Sequence, residues 1–296
     1  MEKRIAMSLK RLAALFLCSL LIAPAAQALV SLEEIRVPVK AVDIYGKATE
    51  QEIVVGLFQE TSAPRPMPLL VLNHGRAPTP AGFARTRVQD YGAAARWFAG
   101  FGFLVAVPIR IGYGASGGPD VEYSGDCRAR RFAPVYHAAA VQTLAVLAHL
   151  RQRPDAAKDR AVVAGQSFGG ATAITVASLN PEGVQATINF AGGGGGSPDE
   201  HPRRPCSEGV LRAMFAGYGK TARMPTLWLY SENDQYWGPT LPQEWFDAFK
   251  AAGGQGEFLG FPPVSDDGHR LFSRGPQLWQ PRVREFLIKL GYPPLN

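Results

Sequence analysis

The sequence predicts an α/β fold: a single domain built on a mainly parallel central sheet, with helices on both faces and antiparallel strands at its N-terminal edge. Three observations lead to this prediction. Short continuous apolar runs, typical of strands buried on both faces, recur along the chain. Segments of helical character separate these runs, as the crossovers between parallel strands require. Two leading segments instead alternate polar and apolar residues, as half-exposed antiparallel strands do.

The elements follow in chain order. The two alternating segments are Ile35–Val42 and Glu52–Gln59, and the proline-rich spacer SAPRPMP separates them from the first buried strand. The predicted buried strands read LLVLNHG (69–75), FLVAVPI (103–109), AVVAGQ (161–166), VQATINFA (184–191), MPTLWLY (224–230) and EFLGFP (257–262). The predicted helices read YGAAARWFAGFG (91–102), PVYHAAAVQTLAVLAHL (134–150), FGGATAITVASL (168–179), and the segments 242–251 and 276–289.

Residues 1–28 are predicted to be a cleaved signal peptide, followed by the folded domain over 29–296. Basic residues precede an apolar run from Leu12 to Ala23, and Ala26-Gln27-Ala28 has the small-x-small pattern of a cleavage site. The run is shorter than the about 20 apolar residues of a membrane-spanning helix. Cys18 suggests a lipoprotein signal, but Leu17 stands where such signals carry a small residue. We therefore expect a periplasmic or secreted protein with no stable membrane anchor after cleavage.

The charge and cysteine content of the mature chain limit the kinds of partner and ligand that it is expected to bind. Without residues 1–28 the chain has 27 basic and 24 acidic side chains, a net charge of +3. No run of Lys or Arg indicates a nucleic-acid groove, so no nucleic-acid partner is expected. Cys127 and Cys206 remain in an oxidising compartment, where an even count favours a disulfide. No His or Cys pair has metal-ligand spacing, so no metal is expected.

Two Gly-x-Ser-x-Gly matches occur, and only one has the context of a nucleophilic serine. Gly165-Gln166-Ser167-Phe168-Gly169 follows an apolar strand and opens a helix, which is the setting that a nucleophile elbow requires. Its flanking residues are small, as a strained turn needs. Ser116, in Gly114-Ala115-Ser116-Gly117-Gly118, is followed by a stretch with no helical period. The missing helix also removes the dinucleotide interpretation of Gly112–Gly117, so no cofactor is expected.

A serine hydroxyl needs a base to take its proton, and that base needs a partner to set its tautomer. On this type of sheet the acid and then the histidine follow the serine in the chain. His269, in PVSDDGHRLF before the final helix, lies in a loop that can bring its imidazole over the turn. His137 and His149 lie within one helix, and His201 precedes the last strands.

The predicted acid is Asp234. It follows the strand MPTLWLY, at the carboxyl edge where such sheets carry their chemistry. Glu232, two residues earlier, is the main rival. Asp266 and Asp267 lie too near His269 to come from a separate strand end.

The oxyanion of an acyl-transfer reaction needs hydrogen-bond donors. In this arrangement one donor is the N–H after the nucleophile, here Phe168, and the other comes from the loop after the first buried strand. That loop reads LNHGRAP, and the N–H of Arg76 is the candidate. His74 is an alternative base, but its position favours a hydrogen bond that shapes the loop.

The chain resembles the α/β-hydrolase superfamily, and within it the dienelactone-hydrolase-like and prolyl-oligopeptidase-like serine hydrolases. The motifs NHGRAP, GYGASGG, GQSFGG, SENDQYW and DDGHRLF occur in the expected order over nearly the whole mature chain. The resemblance implies Ser167 as nucleophile, Asp234 as acid and His269 as base, with Arg76 and Phe168 forming the oxyanion hole. Dienelactone hydrolases proper are cytosolic and use a cysteine nucleophile. The serine therefore favours general ester or amide chemistry, and the predicted signal peptide is a further departure from the cytosolic enzymes.

The function predicted from the sequence is that of an exported serine hydrolase that cleaves small-molecule carboxylic esters through an acyl-enzyme. Tyr113, Tyr236, Trp237 and Phe272 are candidates for the substrate pocket, with packing roles as their alternative. Three other functions remain open: a peptidase or amidase with the same triad, a lactonase, and a binding module without catalysis.

Overall fold

One eight-stranded β-sheet organises the protein in a computed structural model, which describes residues 29–295. The strands are β1 (Val30–Val42), β2 (Ala48–Glu60), β3 (Met67–Asn73), β4 (Leu104–Ile109), β5 (Ala156–Gln166), β6 (Val184–Phe190), β7 (Thr226–Ser231) and β8 (Gly256–Phe261). Across the sheet they lie in the order β1-β2-β4-β3-β5-β6-β7-β8. The predicted signal peptide, residues 1–28, lies outside the described residues.

The sheet is antiparallel at its N-terminal edge and parallel elsewhere, which confirms the predicted fold class. β2 pairs antiparallel with β1 and β4, and every pairing from β4 across to β8 is parallel. All six residues of β4 are buried, as are all but one residue of β3. Strands in this position are covered on both faces, and this is why they read as continuous apolar runs.

Helices cover both faces of the sheet. In chain order they are α1 (Pro80–Ala84), α2 (Gly92–Ala99), α3 (Phe132–Leu150), α4 (Phe168–Leu179), α5 (Glu208–Thr221), α6 (Leu241–Ala251), α7 (Leu271–Arg274) and α8 (Pro276–Lys289). Leu69 and Val71 of β3 belong to the core shared with α3 to α6, whereas Leu70 and Leu72 belong to the core shared with α2 and α8. Within residues 29–295, no helix combines the length and apolar character needed to cross a bilayer.

Helix α5 is the main element that the sequence analysis did not predict. Its segment, EGVLRAMFAGYGKT, contains three glycines, which lower helix propensity and mask the pattern. Leu211, Met214 and Phe215 nevertheless recur at helical spacing, and all three are buried. Packing of this apolar face against α4 and α6 therefore outweighs the local preference of the glycines.

Candidate active site

Ser167 lies in a strained turn between β5 and α4. Its backbone has φ 56° and ψ −120°, a conformation that residues with a side chain rarely adopt. The positions that flank Ser167 have no room for a side chain, so glycine is required there. A Cβ on Gly165 would run into the backbone of Gly169, and a Cβ on Gly169 would run into the carbonyl oxygens of Asn73 and His74. The turn can therefore form only where small residues surround the serine.

Ser116, in the second Gly-x-Ser-x-Gly match, lies in a short 3-10 turn after β4 and is held by backbone groups. Its hydroxyl donates to the carbonyl of Ile109 at 2.5 Å and accepts from the N–H of Val54 at 2.8 Å. Both bonds join the loop to strands β4 and β2. The hydroxyl is committed to fixing this glycine-rich loop on the sheet.

Ser167, His269 and Asp234 form a continuous hydrogen-bonded line. The Nε2 atom of His269 is 2.8 Å from Ser167 Oγ, and its Nδ1 atom is 3.0 Å from Asp234 Oδ2. The second carboxylate oxygen of Asp234 accepts the N–H groups of Tyr236 (2.8 Å) and Trp237 (3.0 Å). Asp234 is fully buried, whereas its rival Glu232 is exposed. The geometry brings together the three residues that the sequence analysis selected.

The two loops that carry Asp234 and His269 are joined to each other. Oδ1 of Asp267 accepts the N–H of His269 and the N–H of Gln235, each at 2.9 Å. The ring of Tyr236 stacks on the imidazole of His269 at 4.0 Å between centroids. Asp267, which the sequence analysis excluded as the acid, thus acts as the link between the loop after β7 and the loop after β8.

Among the described residues, no other histidine forms a hydrogen bond with the Ser167 hydroxyl. His74 is fully buried, its Nδ1 lies 2.6 Å from the carbonyl of Gly75, and its Nε2 accepts the N–H of Arg110. Burial, and then the charge of Arg110, hold the pKa of His74 well below its usual value. His74 is therefore a neutral residue of the loop. His137 is exposed on α3 and His149 is half-buried there, and His201 lies beside Cys206.

The backbone N–H groups of Arg76 and Phe168 are available next to Ser167. Among the described residues neither group has a hydrogen-bond acceptor. The Arg76 side chain is anchored: it donates to both carboxylate oxygens of Asp120, at 2.8 and 2.5 Å, and to the Tyr113 hydroxyl at 3.1 Å. These bonds fix the loop after β3, and with it the position of the Arg76 N–H.

A buried ion pair that the sequence analysis missed supports this loop. Arg110 and Glu122 are fully buried, with Nε of Arg110 2.5 Å from the carboxylate. Arg110 also donates to the carbonyl of His74 at 2.9 Å, and Tyr113 donates to Glu122 at 2.7 Å. Burial and the Glu122 charge raise the pKa of Tyr113 well above its usual value, so the hydroxyl stays a donor. The sequence signal that could have revealed this ion pair is Arg110, a charged residue directly after the buried strand FLVAVPI.

Two cavities open beside Ser167 and His269. The first, of about 250 Å³, touches Ser167 and Phe168, and its walls include Tyr236 and Trp237. The second, of about 230 Å³, touches His269 and includes Phe272. Tyr113, the remaining pocket candidate, lines neither cavity. It is buried, and its hydroxyl accepts a hydrogen bond from Arg76 and donates one to Glu122. Tyr113 therefore supports the loop of Arg76 instead.

A disulfide joins Cys127 and Cys206, with 5.0 Å between their Cα atoms. It links the loop before α3 to the loop before α5. His201 lies near it, with Nε2 3.4 Å from Cys206 Sγ. These three residues are the one group within residues 29–295 whose ligand atoms lie close enough for a metal, but the disulfide occupies both sulfur atoms.

The strand order, the serine turn after β5, the acid after β7 and the histidine after β8 define the α/β-hydrolase class of proteins. The sequence profile of the dienelactone hydrolase family matches residues 84–235, just over half of the chain. The chain therefore belongs to the dienelactone hydrolase family. The matched segment includes Ser167 and Asp234 and ends before His269.

Solved structures share this fold at low sequence identity. A Klebsiella pneumoniae protein assigned as a dienelactone hydrolase has a TM-score of 0.58 at 15% identity, over 88% of this chain and 98% of that chain. The Pyrococcus furiosus esterase Pf2001 has a TM-score of 0.56 at 15% identity, over 86% and 90%. The Pyrococcus horikoshii acylaminoacyl peptidase has a TM-score of 0.57 at 13% identity over 89% of this chain, which spans only 41% of the peptidase. A comparison with curated protein sequences gave no match.

Proposed function

We propose that the protein is an exported serine hydrolase that cleaves carboxylic esters through an acyl-enzyme intermediate. The observation that carries this proposal is the line from Ser167 through His269 to buried Asp234, at 2.8 and 3.0 Å. Hydrogen bonds of this length are those a general base and its orienting acid need.

In the first half of the proposed reaction, Ser167 Oγ attacks the ester carbonyl carbon while its proton passes to His269 Nε2. Asp234 accepts the Nδ1–H of His269 and stabilises the imidazolium that forms. The negative charge on the former carbonyl oxygen is held by the N–H groups of Phe168 and Arg76. When the tetrahedral intermediate collapses, the C–O bond to the alcohol breaks, and His269 gives its proton to the departing alkoxide.

In the second half, water takes the place of the alcohol. His269 removes a proton from the water as its oxygen attacks the acyl carbon of the ester on Ser167. The same two N–H groups hold the second oxyanion. Collapse releases the carboxylic acid and returns the proton to Ser167. No redox step occurs, and every proton is accounted for by His269.

The two cavities suggest how an ester would lie. The first cavity touches Ser167, Phe168 and Arg76 but not His269, which suits the acyl group. The second touches His269, which must protonate the leaving alcohol, and this suits the alcohol group. The first cavity lies just below the about 300–1,000 Å³ range of pockets for drug-sized ligands, which favours short acyl chains.

Export rests on the signal-like segment 1–28 and on the disulfide. A disulfide between Cys127 and Cys206 fits an oxidising compartment, where structural disulfides persist. The proposed location of the protein is therefore the periplasm or the extracellular space, and its proposed mature chain begins at residue 29.

Hydrolysis of p-nitrophenyl esters of rising chain length tests the proposal, with protein that starts at residue 29. Activity on acetate or butyrate is expected, together with labelling of Ser167 by a fluorophosphonate probe, and both should vanish in Ser167→Ala. The Ser116→Ala variant is a matched control, because Ser116 lies in the other Gly-x-Ser-x-Gly match. Turnover that survives in Ser167→Ala would contradict the proposal. Labelling without ester turnover would point to amide or lactone substrates.

A further inference from the structure

The two cavities beside Ser167 and His269 differ in charge. The cavity assigned to the acyl group is lined by two arginines, Arg76 and Arg130, and by no carboxylate. The cavity assigned to the alcohol is lined by Asp90 and Asp267 together with Arg270. An ester bound across both would therefore meet positive charge on its acyl side and carboxylates on its alcohol side.

Arg130 is the uncompensated cation of the acyl cavity. Arg76 is neutralised by Asp120, with which it forms an ion pair. Within residues 29–295, no carboxylate lies within ion-pair distance of Arg130, and its recorded side-chain bond goes from Nη1 to the Ser124 hydroxyl at 3.1 Å. Its Nε is buried and has no partner among the described groups. Asp126, a nearby carboxylate, accepts the hydroxyl of Tyr123 instead.

Another part of the cavity wall is the glycine run Gly193–Gly196, which supplies backbone donors. The carbonyls of Gly192, Gly193 and Gly195 accept from Tyr230 (2.6 Å), Tyr136 (2.7 Å) and the N–H of Cys206 (2.8 Å). In a trans peptide the N–H points opposite to the C=O. The N–H groups of Gly193, Gly194 and Gly196 therefore point away from the groups that bind the preceding carbonyls. Across the described chain, no N–H of the run has an acceptor.

Gly193 is buried and Gly194, Gly195 and Gly196 are half-buried, and polar N–H groups shielded in this way usually have a partner in the protein or in water. A guanidinium and several N–H groups around one cavity recognise an oxyanion such as a carboxylate. A glycine run suits this role, because a side chain at any of its positions would strike an aromatic ring of the wall or the backbone of Cys206.

We propose that the cavity beside Ser167 is a subsite for a carboxylate at the far end of the acyl group, held by Arg130 with the N–H groups of Gly193–Gly196. The substrates would then be half-esters of short dicarboxylic acids, with the free acid on the acyl side. This inference rests on the proposed ester hydrolysis, since it assigns the acyl group to this cavity. Asp199 and Glu200, which follow the glycine run, are exposed and do not line the cavity.

The test compares three esters by pH-stat: monomethyl glutarate, methyl pentanoate, and the pentanoyl ester of glycolate. The first two have acyl chains of five carbons and differ in the terminal carboxylate, whereas the third carries its carboxylate on the alcohol side. We expect the wild type to prefer monomethyl glutarate to methyl pentanoate by roughly tenfold or more in kcat/KM, as a charge-assisted hydrogen bond allows. Rising salt should reduce this ratio.

Variants at position 130 assign the preference to one side chain. In Arg130→Gln the ratio should fall to about one, and Arg130→Lys should keep part of it because the charge remains. Arg128→Gln is the matched control, since Arg128 is exposed in the same loop and does not line the cavity. If Arg130 only stabilised the fold, Arg130→Gln would lower kcat/KM for monomethyl glutarate and methyl pentanoate equally. The ratio of the two would then stay unchanged, which would overturn the inference.

Binding measured without turnover separates this inference from the proposed function. Titration of the Ser167→Ala variant with glutarate should show binding that is lost when Arg130→Gln is added. The inference is overturned if glutarate fails to bind, if the ratio survives in Arg130→Gln, or if the glycolate ester is preferred. Absence of any ester turnover with no labelling of Ser167 would instead overturn the proposed hydrolase.

Discussion

Replacing Asp234 by asparagine tests the proposed catalytic line at its least exposed member. The carboxylate makes three recorded bonds: Oδ2 lies 3.0 Å from His269 Nδ1, and Oδ1 accepts the N–H groups of Tyr236 and Trp237. Those two N–H groups can be satisfied only by an oxygen. In Asp234→Asn the amide oxygen must therefore take the Oδ1 position, and the NH₂ group must face His269.

An NH₂ group facing Nδ1 forces His269 into the wrong tautomer. Nδ1 must then accept a hydrogen bond, and the proton moves to Nε2, which can no longer take the proton of Ser167. A tautomer error of this kind costs about 10⁴-fold in kcat, or about 5 kcal/mol of transition-state stabilisation. The fold should change little, because both backbone bonds remain. We expect a loss of about 1–2 kcal/mol in unfolding free energy from the weaker neutral acceptor.

The assay is kcat for p-nitrophenyl butyrate, with urea unfolding to establish that the variant is folded. Glu232→Gln is the matched control: Glu232 is an exposed carboxylate two residues away, and its loss should leave kcat unchanged. The reasoning is refuted if Asp234→Asn retains kcat within tenfold of the wild type, or if Glu232→Gln causes the larger loss.

Three further predictions concern stability. Glycine tolerates the backbone of residue 167 (φ 56°, ψ −120°) better than alanine does, so Ser167→Gly should exceed Ser167→Ala by about 1 kcal/mol in unfolding free energy. Burial lowers the pKa of His74 in the folded protein, whereas the imidazole of the unfolded chain keeps a pKa near 6.5. Just below pH 6.5, therefore, the imidazole is protonated in the unfolded state but not in the folded state. Unfolding free energy should thus fall by up to about 1.4 kcal/mol per pH unit from this group as the pH drops below 6.5, and His74→Gln should reduce that slope. Serine at both Cys127 and Cys206 opens a loop with a sequence separation of 79, which should lower stability by roughly 4–5 kcal/mol on the chain-entropy estimate.

All three are measured by urea unfolding. Equal stability of the two Ser167 variants would mean that the turn carries no strain. For the pH slope, His137→Gln is the control because His137 is exposed on α3, and a slope unchanged by His74→Gln contradicts the assignment of His74 as a buried neutral group. For the disulfide, the double serine variant should match the reduced wild type, and a variant as stable as the oxidised protein would contradict the link.

The order of strands and helices could be read from the sequence because each signal is local. A run such as LLVLNHG or FLVAVPI is apolar throughout, and strands buried on both faces need that composition. The serine turn was equally local, since Gly165 and Gly169 flank Ser167 within five residues. α5 escaped because its glycines weaken the local signal, while the contacts that stabilise it come from α4 and α6, far away in the chain.

The candidate site was only partly visible in the sequence. Asp234 and His269 could be selected because each follows a strand at the carboxyl edge, in an order that the fold restricts. Tyr113 was a candidate for the pocket, with packing as its alternative, because an aromatic residue near a strand end looks the same in sequence whether it faces a ligand or a buried carboxylate. Its role depends on Glu122, nine residues later, which reaches the same buried site through a loop without a repeating pattern.

The sequence by itself determined the α/β architecture, selected Ser167 and His269, and favoured Asp234 over Glu232, because apolar patterning, small residues around a strained serine and chain order can be read from the chain alone. Only the tertiary structure decided which carboxylate contacts His269, which side chains anchor the loop of Arg76, and that Arg130 and the run Gly193–Gly196 share one cavity. Arg130 and Gly193 are 63 positions apart in the chain. Hydrogen bonds and charges act over a few ångströms in space, so pairings of this kind follow from the packing of the whole sheet and not from the spacing of residues along the chain.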